Sequence, residues 1–216
     1  MNLRRTFATS ILLTLLGMTG GCGALGVPLY TVFGDPPIPA QYDPPKVPTL
    51  VLVENARSPG DVQVDADQIA QQVCEELRTK AKMDIIDPDK VAELREEDPK
   101  KYHAMYVGDI GKAVGAKQVI YIDLIESAVT GDVTQTTIHA QAVAHIRVVN
   151  VATGNNLWPA SPPDGKELAA KMDFDSMDSS KAMAMHMDLL TQLSSQISKL
   201  FYTWKPDDQS QEDAGG

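Results

Sequence analysis

Ile120-Tyr121-Ile122-Asp123-Leu124, a turn at Thr130-Gly131-Asp132, and then Ile138-His139-Ala140-Gln141-Ala142-Val143-Ala144-His145-Ile146-Arg147-Val148 decide the fold of this chain. Ile120, Ile122 and Leu124 alternate with Tyr121 and Asp123, and Ile138, Ala140, Ala142, Ala144, Ile146 and Val148 form a second apolar row. Successive side chains on a strand point to opposite sides, so period-two alternation predicts two long strands with one apolar face. The turn between them makes an antiparallel hairpin. Thr137, His139, Gln141, His145 and Arg147 fall on the opposite row, which is expected to be the more polar side.

Working outward, Leu50-Val51-Leu52-Val53 between Pro48 and Asn55 reads as a short buried strand, and 83–86 as a second one. A helix starting at Asp65 or Asp67 carries apolar residues at 69, 73, 77 and 81. Asp87-Pro88 and Asp98-Pro99 each place a capping carboxylate before a proline, whose missing N–H is harmless at the first helical position. The second of these helices is expected to run through Tyr102, Tyr106, Ile110, Ala113 and Val114 and to stop at Gly115. Thr153-Gly154-Asn155 turns the chain into Leu157-Trp158, and Leu168, Ala170, Met172 and Phe174 alternate as a further strand. Met183, Met187, Leu190, Leu193, Ile197, Leu200 and Trp204 trace one face of a long helix. The expected class is α+β: a mixed, mainly antiparallel sheet with a long hairpin, packed by amphipathic helices that include a long C-terminal one. Residues 49–204 should form one domain, with no internal repeat.

The first 22 residues divide chemically into three zones. Arg4 and Arg5 are followed by an apolar run at 11–16, then by Thr19-Gly20-Gly21-Cys22. The run is shorter than the about 20 residues needed to span a bilayer, and the plan is that of a secretory signal. Gly-Gly-Cys resembles the lipobox of the lipoprotein signal peptidase, with Thr19 standing where Leu is commoner. The resemblance implies removal of 1–21, a diacylglycerol on the Cys22 thiol and acylation of the new amine. An ordinary secretory signal with an incidental cysteine and a membrane-spanning anchor are the competing readings. Arg5 and Gly17 bracket too few apolar residues for the latter. Gly23, in place of Asp, favours the outer membrane, facing the periplasm, by analogy with the enterobacterial sorting rule.

Residues 22–48 are expected to be a lipidated cysteine and a proline-rich tether, with prolines at 28, 36, 37, 39, 44, 45 and 48. At about 3.1 Å per residue such a tether reaches roughly 80 Å. An acidic tail at 205–216 is expected to be disordered. Residues 1–21 hold two of the 19 basic residues and no acid, so 17 bases face 29 acids beyond them, a charge of −12 against −10 for the whole chain. A surface that acidic disfavours nucleic acid and anionic headgroups, leaving lipid as the membrane attachment. With Cys22 acylated, Cys74 stands alone; Ala70 and Leu77 at helical spacing place it on an apolar face as a buried thiol rather than a reactive one.

Catalytic and metal motifs are not found. Gly108-Asp109-Ile110-Gly111-Lys112-Ala113-Val114-Gly115 suggests a phosphate loop, but Ala113 follows the lysine where Ser or Thr is required. His139 and His145 lie about 20 Å apart along one strand and cannot share a metal, although Asp123 on a neighbouring strand could join either. His186 among Met183, Met185 and Met187 raises copper, against which core packing is the plainer account. His103 carries no signal, Glu96-Glu97-Asp98 reads as a solvated helix end, and Asp173 and Asp175 read as solvated. Trp158 is expected to pack under the sheet, with ligand stacking as the alternative. No catalytic residue, cofactor or metal site is therefore assigned, and Cys22 is the one modification site.

Two passages carry a family resemblance. Residues 110–121, Ile-Gly-Lys-Ala-Val-Gly-Ala-Lys-Gln-Val-Ile-Tyr, resemble a helix-Gly-Ala-Asp-strand passage of a group of envelope lipoproteins. Residues 143–158, with Asn150 and Thr153-Gly154, resemble that group's closing hairpin. The group comprises the lipoprotein activators of penicillin-binding proteins, the curli-secretion-channel lipoprotein and the amino-terminal domain of TolB. Coverage would be residues 49–204. The chain departs at Lys117, where the group commonly has Asp, and lacks the extra amphipathic hairpins that the curli channel inserts into a membrane. The resemblance implies a non-enzymatic domain on a lipid-anchored stalk, a periplasmic binding or scaffold module acting on an envelope protein partner in cell-wall synthesis. A subunit of an oligomeric secretion or transport assembly is the alternative, and an envelope hydrolase built on Asp123 or His145 a third.

Overall fold

In the computed structural model of the chain, residues 35–55, 63–130, 138–174 and 179–206 are described. The signal segment, Cys22, the 131–137 turn with Thr137, Asp175 and the tail from Asp207 lie outside them.

The chain is α+β. Strand β1 (Thr49–Glu54) leads to helices α1 (Gln63–Thr79), α2 (Asp89–Glu97), α3 (Pro99–His103) and α4 (Val107–Ala113). Strands β2 (Gln118–Thr130), β3 (Ile138–Asn150), β4 (Asn156–Trp158) and β5 (Lys166–Phe174) follow, and helix α5 (Ser179–Ser198) closes the order. β1 pairs in parallel with β2, β2 runs antiparallel to β3, and β4 and β5 both pair with the other edge of β3. The long hairpin read from the sequence is the middle of this sheet.

Its register explains a change of phase along β2. Leu124 faces Ala144, but Glu126 faces Val143, so β2 carries one extra residue at Ile125. A bulge of this kind switches which side chains point inward. Ile120, Ile122 and Leu124 supply the core before it; Ser127 opposite Ala142 and Val129 opposite Ala140 take that face after it. Alternation read from residue 120 therefore holds only to Leu124.

Two apolar clusters flank the sheet. The larger joins Val51, Val53, Ile120, Ile122, Leu124 and Ile146 to Ile69, Val73 and Leu77 of α1 and to Leu190, Leu193 and Ile197 of α5. The smaller lies under β1 and the start of β2, where Leu50, Leu52, Val119 and Tyr121 meet Val91 of α2, Tyr102 of α3 and Ile110 of α4. Strands covered on both sides read as continuous apolar runs, as 50–53 does.

Several local expectations change. The helix foreseen from Asp98 to Gly115 is two helices. The Ala104 N–H donates to the Lys101 carbonyl, Met105 to Tyr102, and Tyr106 is extended and 81% exposed. The break turns Tyr106 out to solvent while Tyr102 and Ile110 stay buried against the sheet. Residues 83–86 are not a strand: Ile85 alone bridges Thr49, with the Thr49 N–H donating to the Asp84 carbonyl and the Ile86 N–H to the Thr49 carbonyl, both at 2.9 Å. α5 ends at Ser198, and Trp204, read as helical, is extended.

The compact units also differ from the expected boundary. One spans Pro39–Thr203. Within it the Gln41 and Tyr42 N–H groups donate to the Leu200 carbonyl at 2.8 and 3.1 Å, Pro44 is buried, and the Gln118 amide donates to the Pro45 carbonyl. Residues 39–48, read as tether, thus belong to the folded body. Proline leaves fewer backbone donors to satisfy, so an extended proline-rich segment can lie on a domain once an aromatic such as Tyr42 gives it apolar area to bury. In the other unit, Ile38 and Trp204 exchange backbone hydrogen bonds of 2.7 and 3.0 Å.

Candidate binding face

Among the described residues, the side of the sheet away from α1 and α5 is covered by α2–α4 over β1 and the start of β2 alone. Beyond that cover, β2, β3 and β5 present a polar row whose partners are fixed by strand register. His139 faces Asp173 and its Nδ1 lies 2.7 Å from the carboxylate. His145 faces Glu167, with Nε2 at 3.3 Å, and the Gln141 amide donates to Glu126 at 3.1 Å. Asp123 stands opposite His145 on β2. Asp173, expected as a solvated acid, is exposed but engaged with His139. The sequence thus located the polar row, and the register supplied its pairings.

At the covered end the same face is tighter. Arg147 stacks its guanidinium 4.8 Å from the Tyr121 ring centroid, and Arg95 lies 5.2 Å from that of Tyr102. The Tyr102 hydroxyl donates to Glu54 at 2.9 Å. Burial, then the Glu54 charge, pushes the Tyr102 phenol up to about 12 and raises that of Tyr121 further. These groups are held neutral and serve packing.

Near the start of β5 an open depression of about 660 Å³ is lined by His145, Trp158, Asp164, Lys166 and Glu167, with Gln41 at its rim. Trp158 is half-buried, its ring 6.1 Å from those of Tyr42 and Phe201. It packs against the core as expected, while one side lines this hollow. The depression is shallow and mixed in polarity, unlike the enclosed apolar pockets that hold small ligands.

Sequence reading missed one constellation. Asp65 of α1 accepts from the Ser127 hydroxyl at 2.7 Å, and the same carboxylate oxygen lies 2.9 Å from His186 Nε2. Nucleophilic catalysis needs the imidazole between hydroxyl and carboxylate. Here the carboxylate stands in the middle, so the three side chains tie α1, β2 and α5 together. Separations of 62 and 121 residues leave no sequence signal for such a contact. His186 is thereby engaged with a carboxylate rather than with the methionines beside it.

The other candidates fall to packing. A Cβ on Gly111 would lie 2.6 Å from Val119 and 2.8 Å from Val151, so this glycine permits close helix–sheet contact. Gly115, at φ +85°, follows the helix as its stop. Cys74 is buried, and burial pushes its thiol up to about 12, far from a reactive thiolate. Among the described residues no three His, Cys, Asp or Glu side chains gather as a metal set, and no helix is long and apolar enough to cross a membrane.

No family profile matches the chain, and no curated protein is similar to it in sequence. Solved structures with a similar course include the lipoprotein GNA1162 of Neisseria meningitidis, 16% identical, covering 68% of this chain and 98% of its own, with a TM-score of 0.47. A PelC dodecamer of Paraburkholderia phytofirmans is 13% identical over 77% of this chain and 95% of its own, at 0.42. A minor lipoprotein of Acinetobacter baumannii is 9% identical over 70% and 89%, at 0.39. Two of these three are bacterial lipoproteins; likeness at this level fixes neither family nor function.

Proposed function

We propose that this chain is a bacterial envelope lipoprotein, anchored through lipid on Cys22 in the outer membrane and facing the periplasm. Its α+β domain is a non-enzymatic scaffold that docks a protein partner, in cell-wall synthesis, as in the group the sequence resembles. The observation that carries this reading is the polar row of β2, β3 and β5, which no helix among the described residues covers. An antiparallel sheet can leave one face to water, and charged groups arranged on it in fixed pairs would give a partner both register and discrimination. The tied arrangement of Asp65, Ser127 and His186 and the buried thiol of Cys74 favour a scaffold over a catalyst.

A photoreactive residue placed at Gln141 in intact cells should trap one envelope protein, a cell-wall synthase, while the same probe at Lys112 should not. Equal trapping at both places would defeat the docking role. For the anchor, Cys22→Ser should leave an unprocessed precursor without fatty acid; normal maturation of that variant defeats the lipoprotein reading.

A further inference from the structure

β5 has one paired edge. Its residues face β3 from Ile138 to Ile146, and among the described residues no strand pairs with its other side. A nine-residue edge is long enough to recruit another strand, and natural proteins normally blunt such an edge with charge, above all lysine. β5 carries Lys171 on its outward row, but Glu167 stands four residues before it on the same row. The strand therefore carries both halves of a charge pair.

We propose that β5 pairs antiparallel with β5 of a second copy of this chain, about a two-fold axis through Ala169. Backbone geometry restricts the choices. Residues that turn their N–H and C=O toward one edge share a parity, so two identical strands meeting by the same edge must place residues of equal parity opposite each other. The axis then passes through a residue rather than between two. Centred on Ala169, Glu167 of each copy faces Lys171 of the other, twice over, with small Ala169 at the axis. On the core side Leu168 meets Ala170, covering a half-buried leucine at the sheet's margin. Centring on Ala170 sets Glu167 against Asp173 at both ends, and centring on Lys171 opposes the two ammonium groups. Centring on Leu168 leaves Glu167 against Ala169 and Lys171 against Gly165. Only one of these registers satisfies the charges, and the same charges repel unrelated strands. The result is a ten-stranded sheet with a continuous polar face. This inference goes beyond the proposed function and stands whether or not Cys22 is acylated.

Charge exchange tests it. The full chain in detergent should sediment as a reversible dimer. Glu167→Lys alone, or Lys171→Glu alone, turns both cross-strand pairs repulsive and should weaken association about tenfold or more. The double exchange should restore it, and an equal mixture of the two single variants should form heterodimers more tightly than either self-associates. Both side chains are exposed, and unchanged thermal unfolding of each variant confirms that folding is intact. A chain that stays monomeric to about 1 mM, the weak limit of specific association, overturns the proposal. So does self-association that ignores these exchanges.

Discussion

The two ends of the sheet are built differently. At β1 and the start of β2, helices lie on both faces, and Leu50, Val51, Leu52, Val119 and Ile120 are all buried regardless of parity. Along β3 and β5 one face packs on α1 and α5 while the other shows His139, Gln141, Glu167, Lys171 and Asp173. The first end spends its apolar residues on stability, and the second keeps alternation, so that half of its side chains are available to something else. Two-sided packing and one-sided exposure are thus separated along one sheet.

That contrast can be broken by mutation. The largest effect is expected from Ile122→Ala, which empties a fully buried site in the shared core and should cost about 2–5 kcal/mol in urea unfolding. A loss below about 1 kcal/mol would mean that the core is not organised around β2. A smaller effect, with a pH signature, is expected at Tyr102. Its phenol holds its proton up to about 12 when folded, whereas the unfolded chain releases it near 10. Above pH 10 the unfolded state therefore binds fewer protons, and stability that is complete below pH 10 is lost as the pH rises toward 12. Tyr121 and Cys74 shift in the same direction and add to this loss. Tyr102→Phe should cost about 1 kcal/mol at pH 8 by removing the bond to Glu54, and should make the alkaline loss shallower. An unchanged pH profile would show that Tyr102 does not contribute to it. The smallest effect belongs to the open end: Gln141→Ala should change stability by no more than about 0.5 kcal/mol. A core-sized loss there would erase the distinction between the two ends.

Much of this was legible beforehand. Ile120, Ile122 and Leu124 of β2, the β3 row from Ala140 to Val148, the α1 stripe at Ile69, Val73 and Leu77, and Leu190, Leu193 and Ile197 of α5 are buried as the periodicity requires, whereas Ile138 is half-buried and Met183 and Met187, expected on the same α5 face, are exposed. Asp98 caps its helix by accepting from the Lys101 N–H at 3.0 Å, and the Asp89 N–H donates to Asp87 at 3.2 Å. Tyr106 misled because it lies in phase with Tyr102 and Ile110, and periodicity cannot register a three-residue break. Residues 39–48 misled because composition describes what a segment could bury by itself, not what a neighbouring Trp158 and Phe201 offer it. The polar row was foreseen as a row, without the carboxylates that face it.

The sequence by itself determined the inward rows of β3 and α1, the helix start capped by Asp98 and which face of the hairpin stays polar. Those properties depend on neighbours a few positions away, through the 3.6 and 2.0 periods and through caps. Tertiary structure alone decided that β5 joins β3, that a bulge at Ile125 carries Ser127 to Asp65 and His186, and that no strand among the described residues pairs with the other edge of β5. Each depends on contacts between distant parts of the chain, and local chemistry carries no record of such distances.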